Sequence, residues 1–301
     1  MLRPILITGS HRSGTTWVGK VINSSNTVNY LHEPLKPGTI YREFCFNDKY
    51  KKVWFLNISY VDDKSFKLGF EKILSKGIRI SDIKCNNLRE IKDSLKLIRD
   101  INFNKKRRLL KDPISIFSSE WIYENYNSKN IILIRNPYSF VSSLIKNNWS
   151  FDFNNLLKQD NLLNTELNSY KELIIQFSRE EKPIIEQAVL LWNILYSFID
   201  RLRSKYNDWY FVTHEDLCDK PIVEFERIFN FLDIKFSKNV REYIINSSSK
   251  NNPTERADRN VHVLNRNSKD LSEIFKKRLT EEQISYIKNK THHVRIKFYE
   301  N

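Results

Sequence analysis

Cysteine, glycine and methionine are all scarce in this chain: 301 residues hold three, six and one of them. Cys45, Cys85 and Cys218 are isolated and lack metal-ligand spacing. That argues against a disulfide framework and a zinc site, and it fits a reducing cytoplasm. No apolar run approaches the roughly 18 residues a membrane span needs. The first apolar run starts so near Met1 that no signal peptide is expected. Few glycines beside abundant Ile, Asn and Lys look like the drift of an A+T-rich genome, which bears on the net charge of +14. Basic residues are scattered, and only Lys105-Lys-Arg-Arg108 forms a run. The charge therefore reads as a solvated basic surface, with no nucleic-acid partner expected.

What is present suffices for a sizeable core: 40% of residues are hydrophobic and 29% charged. No repeat, linker or low-complexity tract divides the chain, so a single domain over residues 1–301 is expected. Its most informative stretch is the beginning, Ile5-Leu-Ile-Thr-Gly-Ser-His-Arg-Ser-Gly-Thr-Thr-Trp17. A short apolar run breaks at Gly9, passes a polar turn and resumes with helical periodicity at Trp17, Val18 and Val21. Strand, glycine-bounded loop and helix are the setting of a phosphate-cradling loop, whose amides and helix dipole favour an anion.

The loop nearly matches the nucleotide-binding pattern Gly-x-x-x-x-Gly-Lys-Ser/Thr, with Gly9, Gly14 and Thr16 in register. Thr15 stands in the lysine position, and the cation lies upstream at Arg12. The later strand Ile131-Ile-Leu-Ile134 ends in Arg135, where magnesium chemistry would want an aspartate. A nucleotide or sugar kinase using ATP is therefore the weaker reading. A donor handled without metal is the stronger one.

Three segments carry a resemblance. Arg12 to Trp17, Arg-Ser-Gly-Thr-Thr-Trp, resembles the 5′-phosphosulfate loop of the PAPS-dependent sulfotransferases. Arg135-Asn-Pro-Tyr-Ser-Phe-Val-Ser-Ser143 resembles their 3′-phosphate motif. His214-Glu-Asp-Leu217, after Tyr210-Phe-Val-Thr213, is similar to a segment following another of their core strands. The resemblance implies an α/β fold, a P-loop-like central parallel sheet with helices on both faces and inserted helices. It implies PAPS as cofactor, PAP as product and sulfuryl transfer to an acceptor hydroxyl, here expected on a carbohydrate or glycolipid. Cofactor contacts are expected from His11, Arg12, Ser13, Gly14, Thr15, Thr16, Trp17, Arg135, Ser143, His214 and Arg266. Trp17 would stack on the adenine, and Arg266 would reach the 3′-phosphate.

Val28-Asn-Tyr-Leu31 reads as a strand stopped by His32-Glu33-Pro34, which places Glu33 at a carboxyl end, where open parallel sheets bind ligands. Arg108-Leu-Leu-Lys-Asp-Pro113 resembles the family's Lys-Thr-His strand end, with Lys111 kept and the histidine missing. Glu33 is then the expected base, with Arg12 and Lys111 stabilising charge, and the strand it ends is expected beside the loop strand. Asp112, preceding a proline, is expected to cap the turn, and His11 to lie away from the acceptor. Further helices are expected over Ser65–Lys76, Asn87–Ile101 (with Leu88, Ile91, Leu95 and Ile98 on the buried face), Ser115–Tyr126 and Ile184–Tyr206. Helices over Pro221–Leu232 and Asn239–Ile245 follow, then a polar loop from Ser247 to Asn260 and a capped start at Leu279-Thr-Glu-Glu-Gln283. Phe44, Phe46, Trp54 and Phe55 are candidates to line an acceptor pocket, although aromatics in such a stretch are more often core.

Overall fold

The computed structural model describes residues 2–46, 50–60, 64–79, 88–254 and 265–299. Five short runs form strands: β1 (Ile5–Gly9), β2 (Val28–His32), β3 (Arg107–Lys111), β4 (Lys129–Ile134) and β5 (Tyr210–Thr213). They make one parallel sheet in the order β2-β3-β1-β4-β5. β1 is buried at every position, as a strand covered on both faces must be.

Alternate residues of each strand enter different cores. Ile5, Ile7, Leu109, Ile131, Leu133 and Val212 pack beneath Val18, Val21, Phe225 and Ile228. Those partners come from the helix after the first loop (Thr15–Asn23) and from the helix Pro221–Phe231. On the opposite face Leu6, Leu31 and Leu110 meet Phe66, Phe70 and Trp121. There Ile132 and Ile134 lie under Phe140, Leu191, Trp192 and Leu195. The last three belong to the long helix Ile184–Lys205, as the sequence periodicity leads one to expect.

Several expectations need correction. β3 separates β2 from β1: Leu109 pairs with Ile5 on one side and with Tyr30 on the other. Glu33 therefore reaches the first loop across the end of β3. The stretch after Pro113 is a 3-10 turn, Pro113–Ser118, before the helix proper at Ser119–Tyr126. Asp112 caps that turn, accepting from Ile114 N at 3.2 Å, while its other oxygen accepts from Leu35 N at 2.6 Å. Ser247 and Ser248 end the helix Lys238–Ser248 instead of opening a loop, and residues 255–264 lie outside the described set. Phe46 and Phe55 are core residues, the side chain of Phe44 is outside the described set, and Trp54 is exposed.

The helix Leu88–Ile98 turns a different face inward. Ser94, Leu97 and Ile101 are buried, whereas Ile91 and Leu95 are 44% and 61% exposed. Apolar residues at 91, 95, 97, 98 and 101 form two overlapping stripes, and packing against Ile73 and Leu74 selects the second. The side chain of Leu88 lies outside the described residues. At the far end of the chain Thr280 and Gln283 do form the reciprocal cap, N to Oε1 at 3.0 Å and N to Oγ1 at 3.2 Å. That cap opens the C-terminal helix Glu281–Tyr299.

Gly9 is where sheet and loop meet most tightly. Its φ is +146°, and a Cβ there would lie 2.4 Å from Leu133 O in the neighbouring strand. Gly9→Ala combines that clash with a backbone region L-residues avoid, so it is expected to cost at least about 2 kcal/mol. Urea unfolding measures this, and a loss under about 0.5 kcal/mol shows that β1 and β4 separate freely at this point.

Candidate active site

Every element of the site lies at the carboxyl ends of the strands. After Gly9 the chain turns through Ser10 to Gly14, tightened by Ser13, whose N and Oγ donate to Ser10 O at 3.3 and 2.6 Å. The Ser13 amide is thereby committed. Gly14 is the N-cap at φ +95°, and no side chain caps the helix that begins at Thr15. That leaves Gly14, Thr15 and Thr16 to supply amide donors beside the positive end of the dipole. Gly14 also has no room for a side chain: a Cβ would sit 2.6 Å from Nδ1 of the buried His214.

The second loop follows β4. Asn136 accepts from Ser139 N at 2.7 Å and starts the helix Pro137–Asn147. Tyr196 joins the two loops from beneath. Its hydroxyl oxygen accepts from Arg135 N at 2.8 Å and shares a bond with Ser10 Oγ at 2.9 Å. Trp192, stacked on Tyr196 with ring centroids 4.4 Å apart, donates its Nε1 to Arg135 O at 3.0 Å. Above this web the Arg135 guanidinium donates to Arg12 O, and Arg12 Nε donates to Ser143 Oγ at 2.9 Å. Arg12, Arg135 and Ser143 thus converge from three elements.

Arg135 is 6% exposed, yet its Nε has no hydrogen-bond partner among the described residues. A buried guanidinium with an unused donor, facing an uncapped helix start, fits a nucleotide carrying phosphates at both ends. Glu215 supports this arrangement. It accepts from Asn136 N at 3.3 Å and from Tyr299 OH at 3.0 Å. Burial raises its pKa, and the charge of Arg135 offsets only part of the rise.

Glu33 stands at the carboxyl rim, one residue past β2. Its amide donates to Lys111 O at 2.7 Å, so the β2–β3 ladder runs one step past the strands. Lys111, 1% exposed, donates Nζ to Glu33 Oε1 at 2.6 Å, and Lys36 Nζ is 3.0 Å from Oε2. Burial alone would raise the Glu33 pKa, but Lys111, His32 and Lys36 outweigh it and hold the carboxyl at about 2. Asp112 shows the opposite balance. Burial lifts it to about 7, against the pull of two backbone donors and Lys111. Glu33 and Arg12 both have left-handed backbones, with φ of 51° and 66°.

Other expected residues are distributed as follows. Trp17 is 9% exposed, packs edge-on to Phe225 at 5.1 Å and donates Nε1 to Ser247 Oγ at 3.0 Å. The Arg266 amide donates to Ser247 O at 3.0 Å, which brings the late segment beside Trp17. His214 is buried under Gly14, 3.5 Å from Cys218 Sγ, with burial and Arg135 keeping it neutral. His11 packs among Phe55, Phe140 and Trp149 at 5.9, 5.1 and 6.4 Å. Burial and Arg12 lower its pKa to about 4, so it is neutral too. Tyr196, Glu215 and Lys36 are absent from the sequence-derived list. A signal for Tyr196 exists: it follows Trp192 by four residues on a buried helical face, where a hydroxyl must find a partner.

Residues 2–297 match the model of the sulfotransferase domain family, and the chain belongs to that family. It is a sulfotransferase, an enzyme that uses PAPS and releases PAP. No curated protein matches it. Among solved structures it resembles the sulfotransferase domain from the curacin biosynthetic pathway, at 16% identity, covering 97% of this chain and 98% of that one, TM-score 0.49. The sulfotransferase domain of the Synechococcus olefin synthase matches at 16% identity, covering 100% and 97%, TM-score 0.48. A mouse sulfotransferase complexed with PAP matches at 14% identity, covering 100% and 86%, TM-score 0.46.

The depressed Glu33 pKa has a consequence for stability. A carboxyl whose folded pKa is about 2 against an ordinary value of 4.5 adds stability above pH 4.5 that vanishes as pH falls through 2. The difference is on the order of 3 kcal/mol. Urea midpoints at pH 6 and pH 2.5 should therefore diverge more for the parent than for Glu33→Gln. Equal divergence would show that Lys111 does not stabilise the ionised carboxyl.

Proposed function

We propose that this sulfotransferase moves a sulfuryl group from PAPS to a hydroxyl on a carbohydrate or glycolipid, with Glu33 as the general base. The observation that carries the base assignment is the Glu33–Lys111 pair at the sheet's carboxyl rim. PAPS supplies an activated sulfuryl group whose leaving group is a phosphate. The amides of Gly14 to Thr16 and the Arg12 guanidinium suit the 5′ end, where negative charge shifts during transfer. Arg135 and Ser143 suit the 3′-phosphate, which Arg266 would also reach from its place beside Trp17, and Trp17 and His214 lie towards the adenine. His11 borders the loop, and Ser13 holds its shape. Buried thiols at Cys45 and Cys218, outside any disulfide, support a reducing, cytoplasmic setting, and the three cores meeting at one sheet support a single domain.

An acceptor hydroxyl attacks only as its proton leaves, and a positioned base contributes about 10²–10⁴-fold. Asp112 has the more base-like pKa, but both its oxygens are bonded to backbone N–H groups and it is 1% exposed. Glu33 is the reachable carboxylate. At rest its lysine partners make it a weak base. The three donors of Lys111 Nζ would be shared between Glu33 and the sulfuryl oxygens, so engaging those oxygens weakens its hold on Glu33. The carboxylate then regains basicity at the moment it must accept the proton.

Glu33→Gln is expected to lower kcat by at least about 10² while PAP affinity stays within a few-fold. Steady-state kinetics beside PAP titration measure both, and near-parental turnover moves the assignment to Asp112. Arg135→Ala removes a charge-assisted contact worth roughly 1.5–3 kcal/mol, so PAP should bind about 10- to 150-fold more weakly. Adenosine 5′-phosphosulfate, lacking the 3′-phosphate, should change little. Equal losses for both ligands would make Arg135 a support of the fold alone.

A further inference from the structure

The chain has six tryptophans, and their exposures divide sharply. Trp17, Trp121, Trp192 and Trp209 are 9% exposed or less, whereas Trp54 is 37% and Trp149 46% exposed. Both exposed indoles adjoin the reacting end of the site. The Arg12 guanidinium lies 5.4 Å from the Trp149 ring centroid. Lys36 Nζ lies 6.0 Å from that of Trp54 and 3.0 Å from Glu33. Between them runs an aromatic floor: His11 is 6.4 Å from Trp149 and 5.9 Å from Phe55, the residue after Trp54.

Their exposure is built into the backbone. Phe55 has φ +54°, and at this turn Phe55 points into the core at 1% exposure while Trp54 points out. The Trp54 amide donates to Asn155 Oδ1 at 3.0 Å, which fixes the turn. Trp149 follows Asn148, at φ +51°, and its amide donates to Leu144 O at 3.0 Å. That is the helix-ending motif whose next residue commonly packs back on its helix. Trp149 instead leaves its ring open beside Arg12.

An exposed indole costs apolar hydration unless a ligand covers it. Two such faces, edged by Glu33, Lys36 and Arg12, suit a molecule with an apolar face and a hydroxylated rim. A pyranose ring has that form; an entirely apolar alcohol would call for an enclosed apolar pocket. We propose that Trp54 and Trp149 are the platforms on which the acceptor's sugar rings stack, and that they set its specificity. This rests on the carbohydrate reading above.

The test uses full-length protein, labelled PAPS and three probe sets: oligosaccharides of N-acetylglucosamine, oligosaccharides containing glucuronate, and phenols with aliphatic alcohols. Trp54→Leu and Trp149→Leu should each raise the saccharide KM about tenfold, the scale of an aromatic anchor, with a smaller change in kcat. Trp54→Phe and Trp149→Phe should restore most of the loss, since they keep a π face where Leu keeps only bulk. In the PAP-loaded protein, saccharide should quench tryptophan fluorescence, and each Leu variant should weaken that response. If saccharides are sulfated with the same KM by parent and variants, the platforms are overturned and the carbohydrate reading stands. If only phenols or alcohols are sulfated, both fall. If Leu serves as well as Phe, the residues act by bulk alone and the stacking proposal fails.

Discussion

The site depends on one buried hydroxyl. Tyr196 rises from the long helix between the carboxyl ends of β1 and β4 and bonds Ser10 in one loop and Arg135 N in the other. Neither loop is regular structure, and each would otherwise leave buried polar groups to find water. With the hydroxyl in place, the spacing of the two loops is set by a helix packed into the core. The Trp192 Nε1 bond to Arg135 O adds a second fixed point. Arg135 is held at both backbone ends, so its guanidinium can keep a donor in reserve.

Around that anchor the charges are arranged in graded pairs. Lys111 is almost wholly buried and answers Glu33; Lys36 is half-exposed and answers the same carboxyl. Next to them Asp112 is spent on two amides, one from the segment after β2 and one from the turn after β3. Two adjacent strand ends thus offer two carboxyls with different duties: Asp112 locks the chain and Glu33 stays reachable. Burial of Lys111, which lowers its own pKa, offsets part of what the Glu33–Lys111 pair contributes. Their bond fixes the direction of both side chains.

Much of this was legible in the sequence because it rests on local chemistry. Apolar runs bounded by Gly9, Pro34, Pro113 and Pro137 mark four strand ends, and the Thr280–Gln283 cap is written in four residues. The strand order was not legible. β2 sits outside β3 because some seventy residues intervene between them and the pairing partner is chosen by long-range packing. The inward face of Leu88–Ile98 was misread for a related reason: two apolar stripes overlap, and only the neighbouring helix decides between them. Tyr196 and Glu215 were missed because their roles lie in contacts 61 and 79 positions away, to Arg135 N and Asn136 N.

Left-handed backbone in this glycine-poor chain tells its own story. Among the described residues seven other than glycine have positive φ, and four of these, Asn26, Asn127, Asn148 and Asp233, are of types that tolerate it. The remaining three are Arg12, Glu33 and Phe55, and all three border the reacting end of the site. At each of them glycine would adopt the backbone with less strain. Purged of every side-chain identity except those four tolerant ones, a map of backbone torsions alone would still point to this corner of the molecule.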